Sequence, residues 1–143
     1  MKKIYYLILI IAFTSCNSGK SQSLTDKVVQ QNELSNVQLK NYSFLDCMYK
    51  DSYFPKFLVD KCRVVLLKLC RKIETEEPEN LTELYFLTQK ATIEINDLQD
   101  EFYENNSEIE TGARECLGAN FNFISKAYGF DADIEELIET REW

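Results

Sequence analysis

The sequence predicts an all-α fold: a small antiparallel helical bundle of three long helices plus a short C-terminal helix, with an aromatic-rich N-terminal lead-in. Three observations carry this. Apolar residues step by three and four through residues 58–73, 84–102 and 109–128, the period of a helix with one buried face. Side chains suited to capping stand before each run, and Pro, Asn or Gly residues punctuate the ends.

From the N-terminus, Lys2 and Lys3 precede an apolar stretch of ten residues, Ile4 to Phe13. A helix of that length rises about 15 Å, half of what a bilayer core requires. It therefore reads as a secretory signal rather than a spanning anchor. Thr14-Ser15-Cys16 follows. This looks like the lipobox of bacterial lipoproteins, with Phe13 where that motif usually carries Leu. The resemblance implies cleavage before Cys16 and a diacylglycerol on its thiol, so the expected location is a membrane of the bacterial envelope. Residues 1–15 are then a signal peptide and residues 16–41 a polar tether rich in Ser, Asn and Gln. Residues 42–143 remain as one domain of about 100 residues.

Within that domain, Tyr42, Phe44, Tyr49, Tyr53 and Phe54 form the lead-in. Pro55 suits the first turn of a helix, with Asp51 or Ser52 as its cap, and Leu58, Cys62, Val65, Leu69 and Ile73 make its stripe. Glu77-Pro78 ends it. Asn80 with Glu83 reads as a capping box opening a second helix through Leu84, Leu87, Ala91, Ile95, Leu98 and Phe102, broken at Asn105-Asn106. Ser107 with Glu110 is the clearest capping box, followed by Ile109, Ala113, Cys116, Phe121, Ile124 and Tyr128. Gly129 reads as a helix stop. Asp131 or Asp133 caps a last short helix carrying Ile134, Leu137 and Ile138.

Composition excludes more than it suggests. The chain has no histidine, which removes Ser-His-Asp and Cys-His nucleophiles, His-containing zinc sites and the usual general base. Four glycines include no phosphate-binding loop. From Tyr42 to Trp143 there are 22 acids and 11 bases, a balance unsuited to nucleic acid that permits a basic protein partner and is also a common way to stay soluble. Six bases crowd residues 55–72, whereas 19 acids face four bases from Ile73 onward. A basic helix beside acidic ones favours their association.

Glu94, Asp97, Glu101, Glu104 and Glu108 step by three and four, a candidate acidic partner-binding face. Glu108 joins it only if the helix continues past Asn106. Such a straight stripe is also how an ordinary solvated helix face looks, and it does not converge as a cation site must. Asp131, Asp133, Glu135 and Glu142 have partial EF-hand spacing, but Glu136 occupies the position that needs Gly. Glu110 and Arg114, four apart, suggest a structural ion pair. Cys47, Cys62, Cys70 and Cys116 admit three pairings. Cys62 and Cys70, about 12 Å apart on one helix, cannot bond to each other. The expectation is reduced core cysteines, with no metal and no cofactor.

The segments M-Y-K-D-S-Y-F-P-K-F-L-V-D-K, N-D-L-Q-D-E-F, S-E-I-E-T-G-A-R-E and A-Y-G-F-D-A-D-I-E-E-L-I-E-T-R-E-W resemble a bacterial family of small acidic proteins of unknown function. The likeness runs from about Phe44 to Trp143 and implies no reaction. Members of that family usually lack an export signal, and this chain departs there. Two function classes follow from the residues: a membrane-anchored binding or protective protein, immunity-like in kind, or a hydrolase or metal-dependent enzyme using carboxylates and Tyr or Arg, without histidine.

Overall fold

The computed structural model describes residues 29–143; the expected signal peptide, Cys16 and most of the expected tether lie outside them. A 3-10 turn at Gln31–Glu33 precedes seven helices: α1 (Val37–Lys40), α2 (Asp46–Lys50), α3 (Lys56–Glu76), α4 (Leu81–Asn96), α5 (Gln99–Glu104), α6 (Thr111–Ala127) and α7 (Ile134–Leu137). The described residues contain helices and no strand. The expected all-α bundle is what forms.

Every apolar position of the α3 stripe is buried, as are Leu84, Leu87, Ala91, Ile95 and Phe102 opposite it. Lys61 meets Glu101 and Lys68 meets Glu94, so one helix rises as the other falls and the pair is antiparallel. The C-terminal turns of α3 and α6 meet, where the Tyr128 hydroxyl donates to the Cys70 carbonyl at 3.3 Å. α7 closes the bundle against α6 and α4. Gly118 permits that approach, since a Cβ there would stand 3.2 Å from Ile134 Cγ2.

Local signals act as expected in three places. Asn80 Oδ1 accepts the Glu83 N–H, and Glu83 reaches back to the Glu79 N–H at 2.8 Å. Asp133 caps α7 through the N–H groups of Glu135 and Glu136. Gly129, at φ +88°, follows α6, and its N–H and that of Phe130 bond to Lys126 and Ser125, the Schellman pattern.

Other signals are overruled. The second long helix is broken at Asp97-Leu98 into α4 and α5: the Leu98 N–H reaches Ile95 instead of a partner four residues back, a 3-10 turn that keeps both stripes facing α3. Asp51 does not cap α3, because its carboxylate accepts the Tyr53 N–H. The Ser107–Glu110 capping box does not form. α6 starts at Thr111 after an extended Glu110 that makes no side-chain cap. Ile109 enters the core, and burying it outweighs one cap. Ser107 Oγ is left buried without a hydrogen-bond partner.

The lead-in also begins earlier than expected. Leu34 and Leu39, in the span read as tether, are fully buried. Gln31 Nε2 donates to the carbonyls of Leu39 and Tyr42 at 2.7 and 2.8 Å, and Arg63 donates to its Oε1 at 2.5 Å. One polar side chain thus ties the 3-10 turn, α1 and α3 together.

Candidate functional site

The acidic face divides once the helices pack. Glu101 is clasped by Lys61 at 2.5 Å and Glu94 stands 3.7 Å from Lys68. Exposed Asp97 lies in the same shallow groove, of about 390 Å³, with both lysines on its wall. Two of the six bases of α3, Lys61 and Lys68, are thus turned onto acids of α5 and α4, whereas Arg63 bonds Gln31 and Arg71 pairs with Glu74 on its own helix. Glu104 and Glu108 are exposed. α5 ends at Glu104 and Asn106 turns left-handed at φ 56°, so Glu108 leaves the stripe.

Glu110 and Arg114 do not form the expected ion pair. With the capping box unmade, Glu110 stands outside α6 and its carboxylate lies near Tyr53, raising that phenol after desolvation, the larger cause. Arg114 instead lines a groove between α6 and α7, of about 520 Å³, with Glu115, Glu135 and Arg141. Arg141 is committed to Glu135 at 2.6 Å. The groove balances two cations with two anions.

Cys47 and Cys116 form a disulfide, with Cα atoms 6.1 Å apart. This corrects the expectation that these two are reduced: α2 lies against α6, a juxtaposition invisible to helical periodicity. Cys62 and Cys70 remain buried thiols, each pushed up to about 12 by burial, so neither is a nucleophile near neutral pH. Beside the disulfide, buried Asn120 accepts the N–H of Leu45 at 3.1 Å and donates to the Cys116 carbonyl at 2.7 Å. Leu45 sits at φ 57°, a conformation that costs a leucine roughly 1–2 kcal/mol.

One acid goes inward. The Glu74 side chain is only 9% exposed. Its Oε1 accepts from the N–H groups of Ser35 and Asn36 at 2.8 and 3.0 Å and from Tyr128 at 2.9 Å. Its Oε2 has no hydrogen-bond partner, with Arg71 Nη1 at 3.8 Å. Burial alone would push this carboxyl up, but the three donors and Arg71 together hold it below its ordinary value. Glu74 stays ionised. It lines an open cleft of about 540 Å³ with Ser35, Glu77, Pro78, Tyr128 and Phe130. Sequence reading missed it, because its donors lie 38, 39 and 54 residues away.

Among the described residues no Asp or Glu is fully buried, and no group of three or more Cys, Asp or Glu converges as a metal site would. No helix among them is long and apolar enough to cross a membrane. No curated protein and no solved structure matches the chain. The sequence profile of one family does match, over residues 38–143, which takes in α1's last turn through the C-terminus. On that match the chain belongs to the Family of unknown function (DUF5713).

Proposed function

We propose that this chain is a membrane-anchored lipoprotein of the bacterial envelope, held through Cys16, whose helical domain (residues 42–143 with the packed lead-in before them) serves a binding or protective, immunity-like role by presenting acid to a basic protein partner. The observation that carries the reading is the charge left after internal pairing. Lys61 and Lys68 of α3 are turned onto Glu101 and Glu94, and exposed acids such as Glu104, Glu108, Glu136 and Glu139 remain outside that pairing. A surface of that sign speeds encounter with a cationic partner and repels others of its own kind.

Export draws support from two independent features. The leader has the length and order of a secretory signal, and a Cys47–Cys116 disulfide suits an oxidising compartment. The hydrolase or metal-dependent enzyme without histidine has less behind it, since it needs acids buried together with raised pKa values, and Glu74 is lowered.

Cross-linking and affinity capture from the native envelope test the reading. A specific basic protein should be recovered at physiological salt and released when Glu104 and Glu108 are changed to Lys. Recovery of no partner, or of one indifferent to those changes, overturns it. Mass spectrometry of the N-terminal peptide tests the anchor: a diacylglyceryl Cys16 is expected, and an unmodified Cys16 ends the lipoprotein assignment.

A further inference from the structure

The two ends of the Cys47–Cys116 bond differ in access. Cys47 is exposed in the first turn of α2, whereas Cys116 is buried in the second turn of α6, at 4% exposure. In thiol–disulfide exchange a thiolate attacks one sulfur from behind, in line with the bond, and the other sulfur departs. Solvent therefore offers an approach to Cys47 Sγ, and the protein interior blocks one to Cys116 Sγ. Disulfides with an exposed sulfur are the labile ones.

The buried end suits a departing sulfur. Asn120 Nδ2 donates to the Cys116 carbonyl at 2.7 Å and also stands 4.0 Å from Cys116 Sγ. An amide donor is thus already beside the thiolate that exchange would release, and donors of this kind favour the charged form. Asn120 Oδ1 accepts the Leu45 N–H at 3.1 Å, immediately before α2. The disulfide and this hydrogen bond hold one short segment against α6, with Phe44, Leu45 and Met48 buried beneath it. The chain supplies no internal attacker among the described residues. Cys62 and Cys70 are buried thiols pushed up to about 12, so almost no thiolate forms on either near neutral pH. The attacking sulfur must come from outside.

We propose that Cys47 is a thiol-exchange site for a dithiol reductant, and that its bond to Cys116 is a redox latch holding α2 on α6. One thiolate of the dithiol attacks Cys47 Sγ and forms a mixed disulfide. The Cys47–Cys116 bond breaks, and Cys116 Sγ leaves with the electron pair and takes a proton from water. The second thiolate of the dithiol then attacks its partner sulfur in the mixed disulfide, and Cys47 leaves as a thiolate. The dithiol ends oxidised to an internal disulfide, and the protein ends with two thiols. An oxidising compartment keeps the latch closed, and a dithiol opens it. The inference holds whether or not the domain has a basic partner.

The test uses the full chain in detergent micelles. Accessible free thiols are capped with iodoacetamide, and glutathione, a monothiol that stops at the mixed disulfide at short times, is added without denaturant. Excess N-ethylmaleimide in denaturant then quenches the reaction. Peptide mapping should find glutathione on Cys47 and maleimide on Cys116, with an initial rate that doubles as glutathione doubles. Iodoacetamide on Cys47 before any reductant, glutathione on Cys116, or a rate that stops rising with glutathione because unfolding limits it overturns the exchange site. The second arm reduces the protein with dithiothreitol and follows amide hydrogen exchange. The amides of Leu45 and α2 should exchange about tenfold faster after reduction, as for a local opening, with α3 and α4 unchanged. Cys47→Ser should show the fast exchange without dithiothreitol and no further response to it. Equal exchange at α2 before and after reduction, acceleration shared by α3 and α4, or a response that persists in Cys47→Ser overturns the latch.

Discussion

The α3–α4 pair and the lead-in before it are held by different chemistry. Between α3 and α4 lie two continuous apolar stripes, with Leu58, Leu66, Leu84 and Ile95 wholly excluded from solvent and exposed ion pairs only at the edge. The lead-in, residues 29–54, also buries Leu39, Phe44 and Met48. Its position, though, depends on discrete anchors: the Cys47–Cys116 bond, Asn120 on Leu45, Gln31 on three carbonyls and Glu74 on Ser35 and Asn36. A stripe spreads its stabilisation over many contacts, so no single polar group matters much. A segment of short helices has little periodic surface and concentrates its stability in a few directional bonds.

Breaking the anchors one by one tests that contrast. The largest effect is expected from Cys47→Ser, which opens a loop spanning 69 residues and should cost about 4 kcal/mol in urea denaturation. Hydrogen exchange should then rise first in residues 29–54. If α3 and α4 lose protection equally, the two regions are one cooperative unit and the contrast fails.

Asn120→Ala should come next, at about 1–3 kcal/mol, because it orphans a buried N–H on a leucine already in a left-handed conformation. Its effect should shrink in the Cys47→Ser background, since both changes release the same segment.

Acid offers a reversible version. Glu74 titrates below its ordinary 4.5 when folded, so its contribution is present above that pH and is lost as pH falls through the lowered folded value. Amide exchange at Ser35 and Asn36 should accelerate in that window, and Glu74→Gln should remove the pH step at a cost of about 1–2 kcal/mol. A lead-in equally protected on both sides of the window would show that Glu74 anchors nothing.

The smallest effect belongs to the other region. Lys61→Gln removes an exposed pair with Glu101 and should cost at most about 0.5 kcal/mol, less in 1 M salt. A loss comparable with that of Asn120→Ala would mean that α3 and α4 also depend on point contacts.

Taken alone, the sequence determined the helix class, the buried stripes of α3, α4 and α6, the Asn80 and Asp133 caps and the Gly129 stop. All of these depend on residues within one or two turns of each other, and 3.6-residue periodicity is a local property. It also showed a basic stretch followed by acidic ones, because charge segregation survives as composition; the structure sets two of those bases, Lys61 and Lys68, on acids of α5 and α4. Only the tertiary structure decided the rest. Ser107 and Glu110 have the form of a capping box, yet Ile109 is drawn into a core that no local pattern describes. Glu110 and Arg114 are four apart and close the first turn of α6 through their backbone, but Glu110 is the extended N-cap of that helix and the two side chains make no ion pair. Cys47 finds Cys116 across 69 residues, and Glu74, one acid among many in the sequence, is singled out by donors that folding brings from α6 and the lead-in. Directional bonds between distant segments exist only after the chain has closed upon itself, and that is where this protein keeps its anchors and its cleft.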